Sequence, residues 1–188
     1  FNANLFTELG KEHDIRAFNF SRQYPSILFP GKTQYVTADD QAVSIESEAL
    51  LDTAWPPSWG RTARAIQRFD PDVLIVRYWM SWFAPSLGYV ARRMPPHCKV
   101  VAILDNVIPH ERHFFDTPLT KYFLGGVDAC VTLCHEVSED LFALKKDAVC
   151  RVLPHPIYTH FGEKLPRERA EELLGLAKGK KNLLFFGL

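Results

Sequence analysis

The clearest pattern in the chain is an apolar run followed by a polar loop: Val100-Val101-Ala102-Ile103-Leu104-Asp105-Asn106-Val107-Ile108-Pro109-His110-Glu111. Its first five residues are apolar and include two valines, which predicts a strand buried within a parallel sheet. The apolar run ends at a carboxylate and an amide, and an imidazole and a second carboxylate follow soon after. Ligands of open α/β sheets bind beyond the carboxyl ends of the strands. The stretch therefore predicts both a parallel sheet and the edge at which that sheet functions.

The rest of the chain alternates predicted strands with predicted helices. Strands are predicted over 14–20, 73–76, 128–133, 149–153 and 182–186. Helices are predicted over 1–10, 58–69, 81–94, 118–124, 138–144 and 166–175, with Ser58 as the N-cap of the second. Between 21 and 59, prolines and glycine predict loops with short extended or helical pieces. This alternation is typical of an α/β fold with a Rossmann-like, doubly wound parallel sheet.

Composition excludes several functional classes. The formal net charge is +0, and no nucleic-acid partner is expected, because nucleic-acid-binding proteins usually carry a basic excess. No apolar run approaches the roughly 20 residues of a membrane-spanning helix. The sequence lacks the G-x-S-x-G turn of α/β-hydrolases and the G-x-G-x-x-G turn of dinucleotide-binding domains. The four cysteines lack metal-ligand spacing, so no metal is expected and a reducing compartment is favoured.

Asp105 and Asn106 are the first candidate functional residues. A carboxylate accepts hydrogen bonds from hydroxyl groups, and an amide both donates and accepts them. The alternative is that both side chains cap the next turn through bonds to the backbone. His110 and Glu111 can orient a ligand or close a cleft; alternatively they begin a helix, whose dipole favours a glutamate there.

Arg77, Tyr78 and Trp79 follow the neighbouring predicted strand and should border the same crevice. A cation beside an aromatic face suits a sugar ring or an anionic ligand. The alternative is that Trp79 packs beneath the loop. His135 follows the strand predicted over 128–133 and can reach the same edge, although a single histidine is more often structural.

Four segments share their order and spacing with a known family. The stretch 105–111 follows a buried strand. A second strand is followed by Cys134-His135-Glu136-Val137-Ser138-Glu139-Asp140-Leu141, which is similar to an S-x-x-V-x-x-D-L helix start, with Cys134 at the position of the serine. The segments 154–162 and 169–187 then resemble a crossing into a linker and the opening of a second domain. From about Pro71 onward, the chain resembles the retaining "group 1" glycosyltransferases of the GT-B fold. Many members of that family carry a histidine where this chain has Asp105.

The resemblance implies an enzyme that moves a hexose from a nucleotide-sugar to an acceptor. Residues 1–155 would form the acceptor-side domain, 156–181 the linker and its helix, and 182–188 the first strand of a donor-binding domain. Asp105 and Asn106 would take part in catalysis. Acceptor binding would fall to Arg77, Tyr78, Trp79, His110, Glu111 and His135.

The resemblance also implies the partners of the chain. These are a nucleotide-sugar donor, a sugar or lipid-linked acceptor, and the C-terminal domain of the same protein, with no cofactor or metal bound by this chain. A cytoplasmic location with peripheral membrane contact is expected, and the chain alone should not catalyse transfer. The competing hypothesis is a non-catalytic α/β domain that binds a small ligand or a partner at the loop 105–111.

Overall fold

The structure, a computed structural model, describes residues 2–24, 45–109, 113–156, 162–177 and 179–185. Contacts divide the chain into two compact units, Phe1–Pro156 and Ile157–Leu188. The strands are β1 (Ala17–Arg22), β2 (Ser47–Asp52), β3 (Val73–Tyr78), β4 (Lys99–Leu104), β5 (Ala129–Thr132) and β6 (Cys150–Val152). The helices are α1 (Asn2–Leu9), α2 (Pro56–Phe69), α3 (Ala84–Ala91), α4 (Asp116–Leu124), α5 (His135–Leu144) and α6 (Arg167–Leu173).

The strands of the first unit form two sheets, both of them parallel. One sheet has the order β1-β2 and the other the order β3-β4-β5-β6. In the larger sheet Val76 pairs with Ala102, and Ala102 pairs in turn with Cys130. Helices connect the successive strands of this sheet, as parallel pairing requires. The α/β fold with Rossmann-like parallel sheets that the sequence predicts is therefore confirmed.

The core lies where β3 and β4 meet α3 and α4. Every second residue of β4, from Val100 through Leu104, is buried, as expected for a strand with a helical layer on that face. Helices α3 and α4 approach closely because Gly88 has no side chain: a Cβ placed there would lie 2.6 Å from Cε1 of Tyr122. This close packing fixes α4 against the sheet.

Several predicted bounds differ from those in the structure. Helix α2 begins at Pro56 rather than after Ser58, because prolines suit the first helical positions, where backbone N–H groups have no partner within the helix. The predicted N-cap Ser58 lies inside the first turn, and its hydroxyl donates to the carbonyl of Trp55 at 2.7 Å. A 3-10 turn, Ser81–Phe83, precedes α3, so the helix predicted over 81–94 is two shorter elements.

The second unit contains α6 and an apolar tail. Arg167 of α6 bonds to Glu171 across one helical turn at 2.7 Å, and Gly175 follows the helix with φ +64. Residues 181–185 form no strand, although the sequence predicts one over 182–186. A strand needs a neighbouring strand to pair its backbone hydrogen-bonding groups, and the described residues of this unit include none. Residues 157–161 and 186–188 lie outside the described residues.

Candidate functional site

Most of the predicted site residues lie at or just after the carboxyl ends of β3, β4 and β5, which together form one edge of the larger sheet, here called the carboxyl edge. Arg77 is the penultimate residue of β3, Asp105 follows β4 directly, and His135 follows β5 as the first residue of α5. Parallel strands end on the same side, so residues that follow adjacent strands share an edge. The strand order β3-β4-β5 therefore places these three residues along one edge.

Arg77 and Asp105 form a bidentate ion pair. The Arg77 Nε donates to Asp105 Oδ2 at 2.6 Å, and Nη2 donates to Oδ1 at 2.9 Å. The backbone N–H of Asp105 also donates to the carbonyl of Tyr78 at 2.9 Å, which continues the hydrogen-bonded ladder one residue past β4. The side chains of Arg77 and Asp105 retain 26% and 21% of their accessible surface. The pair is thus held rigidly yet remains within reach of solvent.

Helix α1 contributes a further contact to this pair. The Arg77 Nη1 donates to Oδ1 of Asn2, the first residue of α1, at 3.0 Å. Asn2 and Arg77 are 75 residues apart in sequence, and no local pattern predicts their contact. The start of α1 therefore lies at the same carboxyl edge as the ion pair.

The side chain of Tyr78 is not accessible at this edge, although the sequence predicts Tyr78 as an acceptor-binding residue. Its side chain is fully buried, stacks on Phe123 with ring centroids 4.4 Å apart, and bonds to the Thr120 hydroxyl at 2.8 Å. Burial raises the pKa of Tyr78 to about 12. Strand β3 continues through Tyr78, and consecutive strand residues point to opposite faces, so Tyr78 lies opposite Arg77. The Tyr78 hydroxyl is therefore out of reach of a ligand at this edge.

Trp79 packs among aromatic side chains. Its ring lies 4.5 Å from that of Phe83 and 6.3 Å from that of Phe20, and its indole N–H donates to the Tyr24 hydroxyl at 3.4 Å. Phe20 belongs to β1, so this aromatic cluster joins the two sheets near their carboxyl ends. The packing alternative considered for Trp79 is thus realised, and its contact with an acceptor stays a prediction.

The other predicted site residues differ in what the structure says of them. Asn106 is half-buried beside Asp105. His135 is exposed, and its carbonyl accepts a hydrogen bond of 2.6 Å from the Ser138 hydroxyl. His110 and Glu111 lie outside the described residues.

Sequence reasoning missed a buried carboxylate near this edge, Asp116. It retains 5% of its surface and accepts hydrogen bonds from the Ser81 hydroxyl and, at 2.6 Å, from the backbone N–H of His113. Burial by itself would raise the pKa of Asp116, but these hydrogen bonds outweigh it and hold the pKa below its ordinary value. The local signal was an acidic residue opening a helix three positions after His113, which resembles half of a capping box. The contact with Ser81 is long-range and has no sequence signal.

Two absences apply to the described residues, 2–24, 45–109, 113–156, 162–177 and 179–185. Within those ranges, no group of three His, Cys, Asp or Glu side chains is arranged to hold a metal ion. The same ranges contain no helix with the length and apolarity needed to cross a bilayer.

The fold and this edge define the class of the protein, a Rossmann-like α/β domain with a polar edge at the ends of its parallel strands. No family model matches the chain, and no curated protein matches it significantly.

Proposed function

We propose that the chain is the acceptor-side domain of a retaining glycosyltransferase that moves a hexose from a nucleotide-sugar to an acceptor. The observation that carries the proposal is the Arg77–Asp105 pair, held at the carboxyl ends of adjacent parallel strands where α/β folds bind their ligands. The order and spacing of the segments around 105–111, 134–141 and 169–187 support the family.

The pair suits the recognition of hydroxyl groups. A carboxylate has about four acceptor directions, and each Asp105 oxygen accepts one hydrogen bond from Arg77, which leaves a second acceptor direction at each oxygen. Because the guanidinium fixes the carboxylate, a sugar hydroxyl that bonds to Asp105 is fixed as well. Asn106 adds an adjacent amide that donates and accepts. The same proposal assigns acceptor contacts to His135 and Trp79, and to His110 and Glu111, which lie outside the described residues.

Positioning is the main contribution expected from these residues. In the proposed reaction the acceptor oxygen bonds to the anomeric carbon from the face that the diphosphate leaves, and the bond between that carbon and the diphosphate oxygen breaks. The proton of the acceptor hydroxyl passes to the departing diphosphate. Charge develops on the diphosphate, so its stabilisation falls to the donor-side lobe, outside this chain. Asp105 and Asn106 hold the acceptor oxygen close to the anomeric carbon on that same face.

A donor panel tests the proposal on the full-length protein. UDP-glucose, UDP-N-acetylglucosamine and GDP-mannose are offered with sugar and lipid-linked acceptors, and both the nucleoside diphosphate and the glycosylated product are quantified. Consumption of a donor that depends on the acceptor is the expected result. The chain from 1 to 188 alone should give no transfer, and efficient turnover by it would contradict the domain assignment.

A matched pair of variants tests the site. Asp105→Asn keeps the shape of the side chain but removes its charge, and we expect it to lower kcat/KM by roughly 100-fold because the acceptor loses its orientation. Asp52→Asn is the control, since Asp52 makes a similar bidentate pair with Arg22, at 3.0 and 2.8 Å, on the smaller sheet. Equal losses in both variants, or a panel in which no donor is consumed, would refute the proposal.

A further inference from the structure

A groove of about 840 Å³ separates the two sheets of the first unit. Its walls include both strands that border the gap, β1 and β3, and residues of α1, α2 and α3. In the described part of the chain β1 pairs only with β2, and β3 pairs only with β4. Each of the two strands therefore directs one row of backbone N–H and C=O groups into the groove.

The walls of the groove are apolar but uncovered. Along β3, Val73 and Ile75 retain 49% and 43% of their surface, although parallel strands usually have both faces covered. Helix α1 has no buried residue, and its apolar side chains Leu5, Phe6 and Leu9 line the groove. The apolar face of α1 and these exposed side chains of β3 are therefore both left uncovered along the groove.

The two bordering strands run in the same direction. At their carboxyl ends, Phe20 of β1 contacts Trp79, which directly follows β3. At their amino ends, Arg16 lies over the ring of Phe69, at 5.6 Å from its centroid, just before β1 and β3 respectively. A segment between them can therefore run parallel to both, as the sheets on either side do.

The connection to α1 identifies which segment this is. Helix α1 begins at Asn2, which bonds to Arg77 at the carboxyl edge, so the chain enters α1 from that edge. A strand that leads into α1 must end there, and the right-handed crossover through α1 to β1 places that strand beside β1. The position beside β1 that lies away from β2 is the groove.

We propose that the groove is the seat of a β-strand formed by the stretch of the same polypeptide directly before Phe1. The strand lies parallel between β1 and β3 and joins the two sheets into one, in the order β2-β1-strand-β3-β4-β5-β6. Its residues are apolar on both faces: one face packs on Leu5, Phe6 and Leu9 of α1, and the other on Ile66, Leu87 and Val90. The strand completes a continuous core that neither sheet has alone.

Hydrogen exchange on the full-length protein tests the proposal, with the chain that starts at Phe1 as the comparison. In a parallel strand alternate amides bond to either neighbour, so half of the amides of β1 and β3 point into the groove. We expect those amides to exchange roughly 100-fold more slowly in the full-length protein than in the chain that starts at Phe1. Equal rates in both proteins would overturn the proposal.

Two substitutions in the full-length protein give a second readout. Ile75→Lys places a charge on β3 beside the proposed strand and should lower Tm by about 10 °C, because that charge would be buried by the strand. Val149→Lys is the control, because Val149 is 68% exposed and lies outside the groove, and its Tm should change little. A full-length protein that tolerates both substitutions equally would also overturn the proposal. So would groove protection that appears only as the protein dimerises, since a second copy would then be the occupant.

Discussion

Tyr78→Phe and Thr120→Val together measure the buried hydrogen bond that replaces the predicted surface role of Tyr78. The two hydroxyls lie 2.8 Å apart, and their side chains retain 0% and 1% of their surface. Either substitution alone leaves one hydroxyl buried without its partner, at a cost of about 1–3 kcal/mol. The double variant removes both polar groups from a stacked aromatic environment, so it should be nearly as stable as the unmodified protein.

Urea unfolding of the four proteins gives the coupling energy from a double-mutant cycle. If the m value is unchanged, the single variants should unfold at clearly lower urea concentrations. The double variant should have an unfolding midpoint close to that of the unmodified protein. For a chain of this length, each kcal/mol corresponds to roughly 2–4 °C in Tm. Additive losses, or single variants with no effect, would refute the buried bond. In the full-length protein Tyr78→Phe should leave the KM for the acceptor unchanged, because the hydroxyl has no access to it.

Further predictions follow from packing and titration. Gly88→Ala should lower stability by about 1–3 kcal/mol because the new methyl meets Tyr122 at 2.6 Å, whereas Gly60→Ala, with its nearest contact at 3.4 Å, should raise stability by about 0.5–1 kcal/mol; thermal unfolding distinguishes them. The lowered pKa of Asp116 stabilises the fold above pH 3.8, so its stability advantage over Asp116→Asn should shrink as the pH falls below that value, as urea titrations will show. The pKa of Tyr78 is raised from 10.0 to about 12, so the protein should lose about 3 kcal/mol between those pH values, a loss that Tyr78→Phe lacks and alkaline unfolding curves detect.

The sequence predicts the larger sheet well because its strands are apolar runs. The runs 73–76 and 100–104 are too short for a helix of ordinary length and are rich in β-branched residues. Both form strands. Strand β2 has no such signal: Ser47–Asp52 is half polar, and the pairing with β1 that stabilises it is a long-range contact. Local propensity therefore identifies the strands of the core and misses one at the margin.

The site shows the same division between local and distant contacts. Arg77 and Asp105 come together as predicted, because both follow apolar runs that pair as adjacent parallel strands. The sequence predicts an accessible Tyr78 side chain because the apolar run ends at Val76, but β3 continues for two more residues. Side chains therefore still alternate between the two faces of the sheet at Tyr78, where the sequence predicts a loop. The partners Asn2 and Ser81 come from other elements, and only the fold brings them to Arg77 and Asp116.

The aromatic cluster around Trp79 gives the molecule an internal optical reporter. The indole lies against Phe20 of one sheet and Phe83 beside the other, so its surroundings change whenever the sheets shift relative to each other. Its fluorescence emission should consequently report on separation of the sheets without any added dye. Replacing Trp55, which is 53% exposed, by phenylalanine would remove a solvent-facing emitter and sharpen that spectral signal.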